Sequence, residues 1–301
     1  MTRLAFLGDI HGNLPALEAV LADLHRQAPD AVYVTGDLVN RLPWTYQVMD
    51  CLRAESWPTV LGNHDLIVGT LGTDAARPPF TDRRRFPTLW WTRDRLREED
   101  LAYLRDLPME RSIRLDGAPP IRLFHGLPDN PFVGILPEQS DREIAAQVRS
   151  IPEPVIVCAH THRPLCRQLP DKLVLNPGSV GLPYNGDPRA QYLILDRVRD
   201  RGIPRWRATF RRVEYDQEPV LQAFHQSGMA REVGPMGELY IRTVRDALPW
   251  ASDFGHWLKD QPEELKADLP RAVATYLAHH GPHNWNFPLP KSNPPHRGES
   301  P

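Results

Sequence analysis

Leu4-Ala5-Phe6-Leu7-Gly8-Asp9-Ile10-His11-Gly12-Asn13 is the stretch that decides the fold. Four consecutive apolar residues have the character of a buried strand, and the glycine-flanked Asp9 and His11 follow at its end. Beyond it, Leu14, Leu17, Leu21 and Leu24 recur at helical spacing and share one face, with Pro15 where a first turn tolerates it. A strand that stops at a carboxylate and an imidazole, then returns as a helix, is the opening unit of an α/β domain.

The same device recurs. Gly36-Asp37-Leu38-Val39-Asn40-Arg41 follows a strand at Ala31–Thr35, and Gly62-Asn63-His64-Asp65 follows one at Thr59–Leu61. His125-Gly126 follows Ile121–Phe124, and His160-Thr161-His162 follows Val155–Cys158. All five segments therefore belong at the carboxyl ends of strands, where open α/β sheets place their sites. Carboxylate, imidazole and amide oxygen form a borderline-hard donor set suited to Mn²⁺, Fe²⁺ or Zn²⁺ rather than to a thiolate site. One Gly-Asp pair is ordinary turn chemistry; five such segments in order point to a metal centre.

Around these segments the pattern predicts a short helix at Tyr46–Arg53, a loop over Thr70–Pro87 and one amphipathic helix over Trp91–Leu107. Asp116-Gly117 lies between strands Ile113–Leu115 and Ile121–Phe124 as a hairpin signal. Ser140 and Glu143 have the spacing of a capping box opening a helix at Asp141–Val148. Further strands are predicted at Leu165–Gln168, Lys172–Leu175, Gln191–Leu195 and Trp206–Val213. Alternating strands and helices, then mostly strands, argue a layered α/β domain on mixed sheets. Residues 1–214 read as that domain and 215–287 as an extension packing on the core or a partner, with helices near Val220–Gln226 and Leu269–His279. Residues 288–301 read as a disordered, proline-rich tail.

The bulk numbers narrow the function classes. The chain has 301 residues, 25% charged and 41% apolar, which is ordinary globular composition and enough to bury a core. A net charge of −2 provides no global attraction to nucleic acid, so such binding needs a local patch. Cys51, Cys158 and Cys166 form no close-spaced pair, which fits a reducing compartment. The apolar stretch at the N-terminus is too short for a signal peptide and no run approaches a membrane span, so a cytoplasmic location is expected.

These segments resemble the calcineurin-like metallophosphoesterase superfamily, whose pattern runs GDxHG, GD, GNH[DE], H and GHxH. The resemblance spans roughly Met1 to Val213, and Asn176-Pro177-Gly178-Ser179-Val180-Gly181 looks like a segment of its small bacterial phosphodiesterases. It implies a layered α-β-β-α sandwich with mixed sheets. It also implies a bimetal phosphoesterase in which Asp9, His11 and His162 hold one divalent ion and Asn63, His125 and His160 the other, with Asp37 bridging. Mn²⁺ comes first among the ions expected, with Fe, Ni, Zn, Co or Mg as alternatives. By this resemblance a bridging hydroxide attacks a phosphodiester or phosphomonoester, His64 protonates the leaving oxygen and Asp65 orients His64. Two departures stand out. Ala159 replaces the glycine of the last motif, and Asn40-Arg41 stands where serine/threonine protein phosphatases carry Asp-Arg, which makes Arg41 a candidate phosphate contact.

Simpler readings are set beside these. Asn176 and Ser179 read as turn-shaping residues over a phosphate-facing role, Trp90-Trp91 as core or lid packing over a base-stacking platform, and His279, His280 and His283 with Trp285 as surface or interface histidines over a further metal site. Arg83-Arg84-Arg85 reads as a solvated run, with phosphate steering as the alternative. The substrate expected is a small molecule or nucleotide. The competing functions are a nuclease or nucleotide-end-processing enzyme and, third, a non-catalytic scaffold.

Overall fold

A computed structural model describes residues 2–280 of the chain. The order of elements is β1 (Arg3–Leu7), α1 (Leu14–Gln27), β2 (Ala31–Val34), α2 (Thr45–Glu55), α3 (Asn63–Thr70), α4 (Pro87–Arg93) and α5 (Glu98–Asp106). Then follow β3 (Glu110–Ile113), β4 (Ile121–Phe124), α6 (Asp141–Val148), β5 (Val155–Val157), β6 (Leu165–Gln168), β7 (Leu173–Asn176), β8 (Ala190–Asp200) and β9 (Ile203–Val213). Six helices end the described chain: α7 (Glu218–Gln226), α8 (Met229–Glu232), α9 (Met236–Asp246), α10 (Trp250–Lys259), α11 (Glu263–Ala267) and α12 (Leu269–His279).

Two mixed sheets form the centre, one ordered β2-β1-β8-β9 and the other β3-β4-β5-β7-β6. β1 lies parallel to β2 and antiparallel to β8, while β4, β5 and β7 run parallel to one another. The two-residue period of β1 explains why its whole run is apolar. Leu4 and Phe6 enter the core between the sheets with Leu123, Val157 and Leu193, and Ala5 and Leu7 enter the core under the helices with Leu17, Val20 and Val48. On the far side, Phe124, Ile156 and Val174 meet Ile144 and Val148 of α6. The result is the α-β-β-α sandwich expected from the motifs, with a helical extension.

Local chemistry sets the boundaries. Asn13 caps α1, its side chain accepting from Ala16 N at 3.2 Å, and the helix ends where Ala28 turns left-handed at φ 46°. Ser140 and Glu143 form the expected capping box at α6.

Two expectations change, and one helix appears that none foresaw. The single helix over Trp91–Leu107 is two, α4 and α5, because Asp100 accepts from Arg97 N at 3.1 Å and so starts a new helix at Glu98. The strand at Thr59–Leu61 shrinks to one parallel bridge between Thr59 and Val34, since Leu61 N turns away to donate to Pro108 O at 2.8 Å. The next residues then open α3, which the apolar pattern does not announce.

The helices after β9 pack Val220, Phe224, Leu239, Trp250, Phe254 and Tyr276 into one core with Leu42, Trp91, Leu182 and Tyr184 of the sandwich. Among the described residues no helix is long and apolar enough to cross a membrane. His283, Trp285 and the proline-rich tail lie outside the described residues.

Candidate metal centre

The loops after β1, β2, β4 and β5 and the start of α3 converge at one edge of the sandwich. The structure brings all seven expected ligand residues to this edge. Ligand atoms of Asp9, His11, Asp37 and His162 form one group within 4.8 Å of one another, and those of Asp37, His125 and His160 a second. Asp37 belongs to both. Asn63 completes the second group, its Oδ1 lying 3.1 Å from His125 Nε2 and 2.8 Å from His160 Nδ1.

Assembling so many polar groups at strand ends strains the backbone. Asp9, His11, Asp37, Asn40, Arg41, His160 and His162 all adopt positive φ, seven of the eleven non-glycine residues that do so among those described. Such conformations cost energy and persist where the surroundings over-determine them, which is typical of functional sites. Gly62 is required for closeness: a Cβ there would stand 2.2 Å from Asp37 N and Oδ1. Gly181 is equally constrained, since its Cβ would meet Ile10 O at 1.9 Å.

The turn after β7 supports the first group from behind. Ser179 Oγ donates to Asp9 O at 2.7 Å, and Asn176 Nδ2 donates to Ala159 O at 2.9 Å. Both residues shape backbone, as their turn reading predicts.

The donors fit divalent ions. Among protein atoms, the buried Asp9 Oδ1, Asp9 Oδ2 and His11 Nδ1 have no hydrogen-bond partner, a costly state unless something else satisfies them. Burial, reinforced by the Asp37 charge, pushes the Asp9 carboxyl well above its ordinary range. His11 Nε2 and His162 Nε2 face each other at 3.1 Å. His162 Nδ1 donates to Leu182 O at 2.5 Å and His125 Nδ1 to Thr35 O at 2.8 Å, so each ring turns an Nε2 lone pair inward. Burial lowers the His125 imidazole, but the charge and contact of Asp37, the Asp9 charge and the Thr35 carbonyl together raise it to about 9. The cluster thus calls for positive charge, which a proton or a cation can supply.

His64 sits beside both groups, its ring edge-on to His11 at 5.0 Å. Its Nδ1 lies 2.7 Å from the Asn40 side-chain amide and its Nε2 3.2 Å from Arg41 Nη2. Arg41 Nη2 and Asn40 Nδ2 can each only donate, so a neutral ring accepts from one of them, and a proton on Nδ1 requires the Asn40 amide turned with Oδ1 toward it. Burial, with Arg41 adding to it against the pull of Asp37, holds the His64 imidazole down at about 3.

Asp65 has other partners than expected. Its carboxylate accepts from Asp37 N and Leu38 N, each at 2.8 Å, and from Gly62 N at 3.1 Å. It braces the Asp37 loop, and Asn40 takes the place beside His64. Burial and the nearby Asp37 charge raise the Asp65 carboxyl to about 7.

Arg41 is fixed from two directions. Its Nη1 donates to the Tyr184 hydroxyl at 3.1 Å and to Ser252 Oγ of α10 at 3.2 Å. Tyr184 in turn stacks on His162, the centroids 4.1 Å apart and the planes 12° from parallel. Ser252 lies beyond every motif, in the extension, and nothing in its local sequence marks it as part of a site.

Other candidates fall elsewhere. Trp91 is buried and Trp90 partly so, its Nε1 donating to Phe80 O at 3.1 Å, in keeping with packing. Arg83 is engaged by Asp94 at 2.6 Å and stacks over Trp90 at 3.9 Å. His280 packs against Trp257 and Tyr276, away from the metal cluster.

Residues 2–200 match the family model described as the calcineurin-like phosphoesterase superfamily domain. An uncharacterised protein of Methanocaldococcus jannaschii is 27% identical over 232 residues, covering 71% of this chain and 88% of that protein. A symmetrical bis(5'-nucleosyl)-tetraphosphatase of Delftia acidovorans is 32% identical over 143 residues, 46% of this chain; the match spans about half (47%) of that enzyme. Among solved structures, a metallophosphoesterase from Sphaerobacter thermophilus superposes with a TM-score of 0.62 at 26% identity, covering 82% of this chain and 99% of that one.

Proposed function

The chain belongs to the calcineurin-like phosphoesterase superfamily and is a metal-dependent phosphoester hydrolase; from that premise we propose that it cleaves a phosphodiester or phosphomonoester of a small molecule or nucleotide at two divalent ions. The observation that carries this reading is the pair of ligand groups sharing Asp37. Asp9, His11 and His162 would hold one ion and Asn63, His125 and His160 the other, with Asp37 between them. Such ions, when bound, supply Lewis acidity toward phosphoryl oxygens and water, lowering the pKa of water from about 15.7 to about 7.

The chain's own groups do the rest. Thr35 O and Leu182 O hold the His125 and His162 rings with their lone pairs inward. Asp65, through three backbone amides, keeps Asp37 in its left-handed turn. Arg41, pinned by Tyr184 and Ser252, faces phosphoryl oxygens and offsets their charge. His64 is neutral at pH 7 in this structure, and an anionic phosphate beside it raises its pKa, so it gains the proton together with the substrate. It then delivers that proton from Nε2 to the leaving oxygen.

Residues 1–214 act as the catalytic unit, and helices α7 to α12 of the extension form a wall that completes it. Likeness to part of a tetraphosphatase supports a nucleotide among the substrates. Mn²⁺ is the first ion of choice, with Fe, Ni, Zn, Co or Mg as alternatives, and the free Cys51, Cys158 and Cys166 suit a reducing, cytoplasmic setting. The test is a panel of phosphomonoesters, phosphodiesters and dinucleoside polyphosphates run separately with Mn²⁺, Mg²⁺, Ni²⁺ and Zn²⁺. Metal-dependent turnover on at least one class is expected; none across the panel, with no metal retained, overturns the reading.

A further inference from the structure

Three of the six exposed large hydrophobic side chains among the described residues fall within one short loop: Phe132 at 41% exposed, Val133 at 40% and Leu136 at 40%. This loop follows His125 and presses on the metal cluster. A Cβ at Gly134 would stand 3.0 Å from the His160 ring and 2.6 Å from the Thr161 methyl. Across from the loop, Phe80 presents a ring whose centroid is 6.3 Å from that of Phe132, with planes only 9° from parallel.

Phe80 is firmly seated. Trp90 Nε1 donates to its carbonyl at 3.1 Å, Phe86 meets its ring edge-on at 5.2 Å, and Arg83 stacks on Trp90 at 3.9 Å. Phe80 lies in the loop between α3, which begins at Asn63, and α4, and Phe132 in the loop after His125.

We propose that Phe80 and Phe132 form a stacking platform for the nucleobase of the substrate, at the rim of the metal centre on the Asn63–His125–His160 side. Two parallel aromatic faces select a flat π-system; an acyl chain or an aliphatic peptide segment gains nothing from their parallelism. Bases stack on such faces with little regard to sequence. A ribose links base to phosphate, which fits a platform whose loop touches a metal-cluster histidine. The proposal deepens the phosphoesterase reading by naming a nucleoside phosphoester as the substrate, and it rests on that reading for the identity of the neighbouring centre.

The test uses three probes that the protein does not hydrolyse: adenosine, ribose and inorganic phosphate, measured by equilibrium dialysis against the full chain with Mn²⁺. Adenosine should bind at least about tenfold tighter than ribose, equivalent to ~1.4 kcal/mol. Phe132→Leu, which keeps apolar bulk but removes the ring, should erase that difference, Phe132→Trp should keep it, and phosphate affinity should change less than about twofold throughout. Phe80→Leu repeats the test from the opposite loop, should Phe132→Leu fold poorly. Equal binding of adenosine and ribose, or Leu variants that bind adenosine like the parent, overturns the platform. If the adenosine pattern holds but no phosphoester is turned over, the platform stands and the reaction reading falls.

Discussion

Arg41 Nη2 lies 3.2 Å from His64 Nε2, and the same guanidinium reaches the Tyr184 hydroxyl and Ser252 Oγ through Nη1. A side chain of the extension thus holds an arginine against His64, in a motif nearly two hundred residues upstream. Arg41→Lys keeps the charge and loses the planar fork. We expect kcat/KM to fall by about 10²-fold, the scale for losing one aimed donor. Ser252→Ala should cost roughly five- to tenfold in kcat/KM, since one hydrogen bond to a charged group is lost. Steady-state kinetics with unchanged metal content checks both; parental kinetics for Arg41→Lys removes Arg41 from the site.

The acid role of His64 is read from leaving groups. His64→Ala should retain both ions and lose roughly 10²- to 10⁴-fold on alkyl esters, but little on a nitrophenyl ester whose leaving group needs no proton. Equal losses on both substrates contradict proton delivery.

Asn40 tunes that acid. Asn40→Asp puts a carboxylate where an amide now lies 2.7 Å from His64 Nδ1, which favours the imidazolium. The basic limb of the pH–kcat profile, which reports the substrate complex, should move up by about one unit or more, because activity then persists to higher pH before His64 deprotonates. An unmoved limb shows that His64 is not the titrating acid.

Asp37 joins both ligand groups, so Asp37→Asn should abolish activity and metal occupancy together. Chelation of the parent should do the same reversibly, with activity restored by Mn²⁺. Two ions per chain retained in the variant, by elemental analysis, excludes the bridge.

A stability prediction rests on Asp23, buried where α1 meets β9. Burial alone would raise its carboxyl, but hydrogen bonds from Tyr192 at 2.7 Å and from Arg211 and Arg26 outweigh burial and hold it below the ordinary range. A depressed folded pKa means that this contribution is present above the unfolded value, near 3.8, and is lost as pH falls through the folded value. Asp23→Asn should therefore destabilise by about 1–3 kcal/mol at pH 7, and by progressively less below about pH 4. Urea unfolding at several pH values measures it, and a pH-independent difference rules out the ionic origin.

Much of the site was legible because its signals are local. Asp9, His11, Asp37, Asn63, His125, His160 and His162 each stand within a few residues of the end of an apolar run, and a buried strand that stops abruptly leaves its next side chains at the sheet edge. Ser140 and Glu143 announced their helix for the same reason: a cap needs only four residues to satisfy its amides. The helix break at Asp94–Arg97 escaped because apolar spacing continues through it, while the Asp100 cap competes locally with a continuous helix.

The partner of His64 was not legible, and neither was the aromatic rim. By itself the sequence determined the layered α/β class and which carboxylate, imidazole and amide residues stand at strand ends, since these follow from short-range apolar periodicity and side-chain chemistry. Only the tertiary structure decided that Asp65 turns to the backbone of Asp37 and Leu38, that Asn40 and Arg41 flank His64, and that Ser252 and the loop of Phe132 and Gly134 come to the same edge. Those relations join segments tens to hundreds of residues apart. They are set by how two sheets and a helical extension pack together, a long-range outcome that no local spacing records.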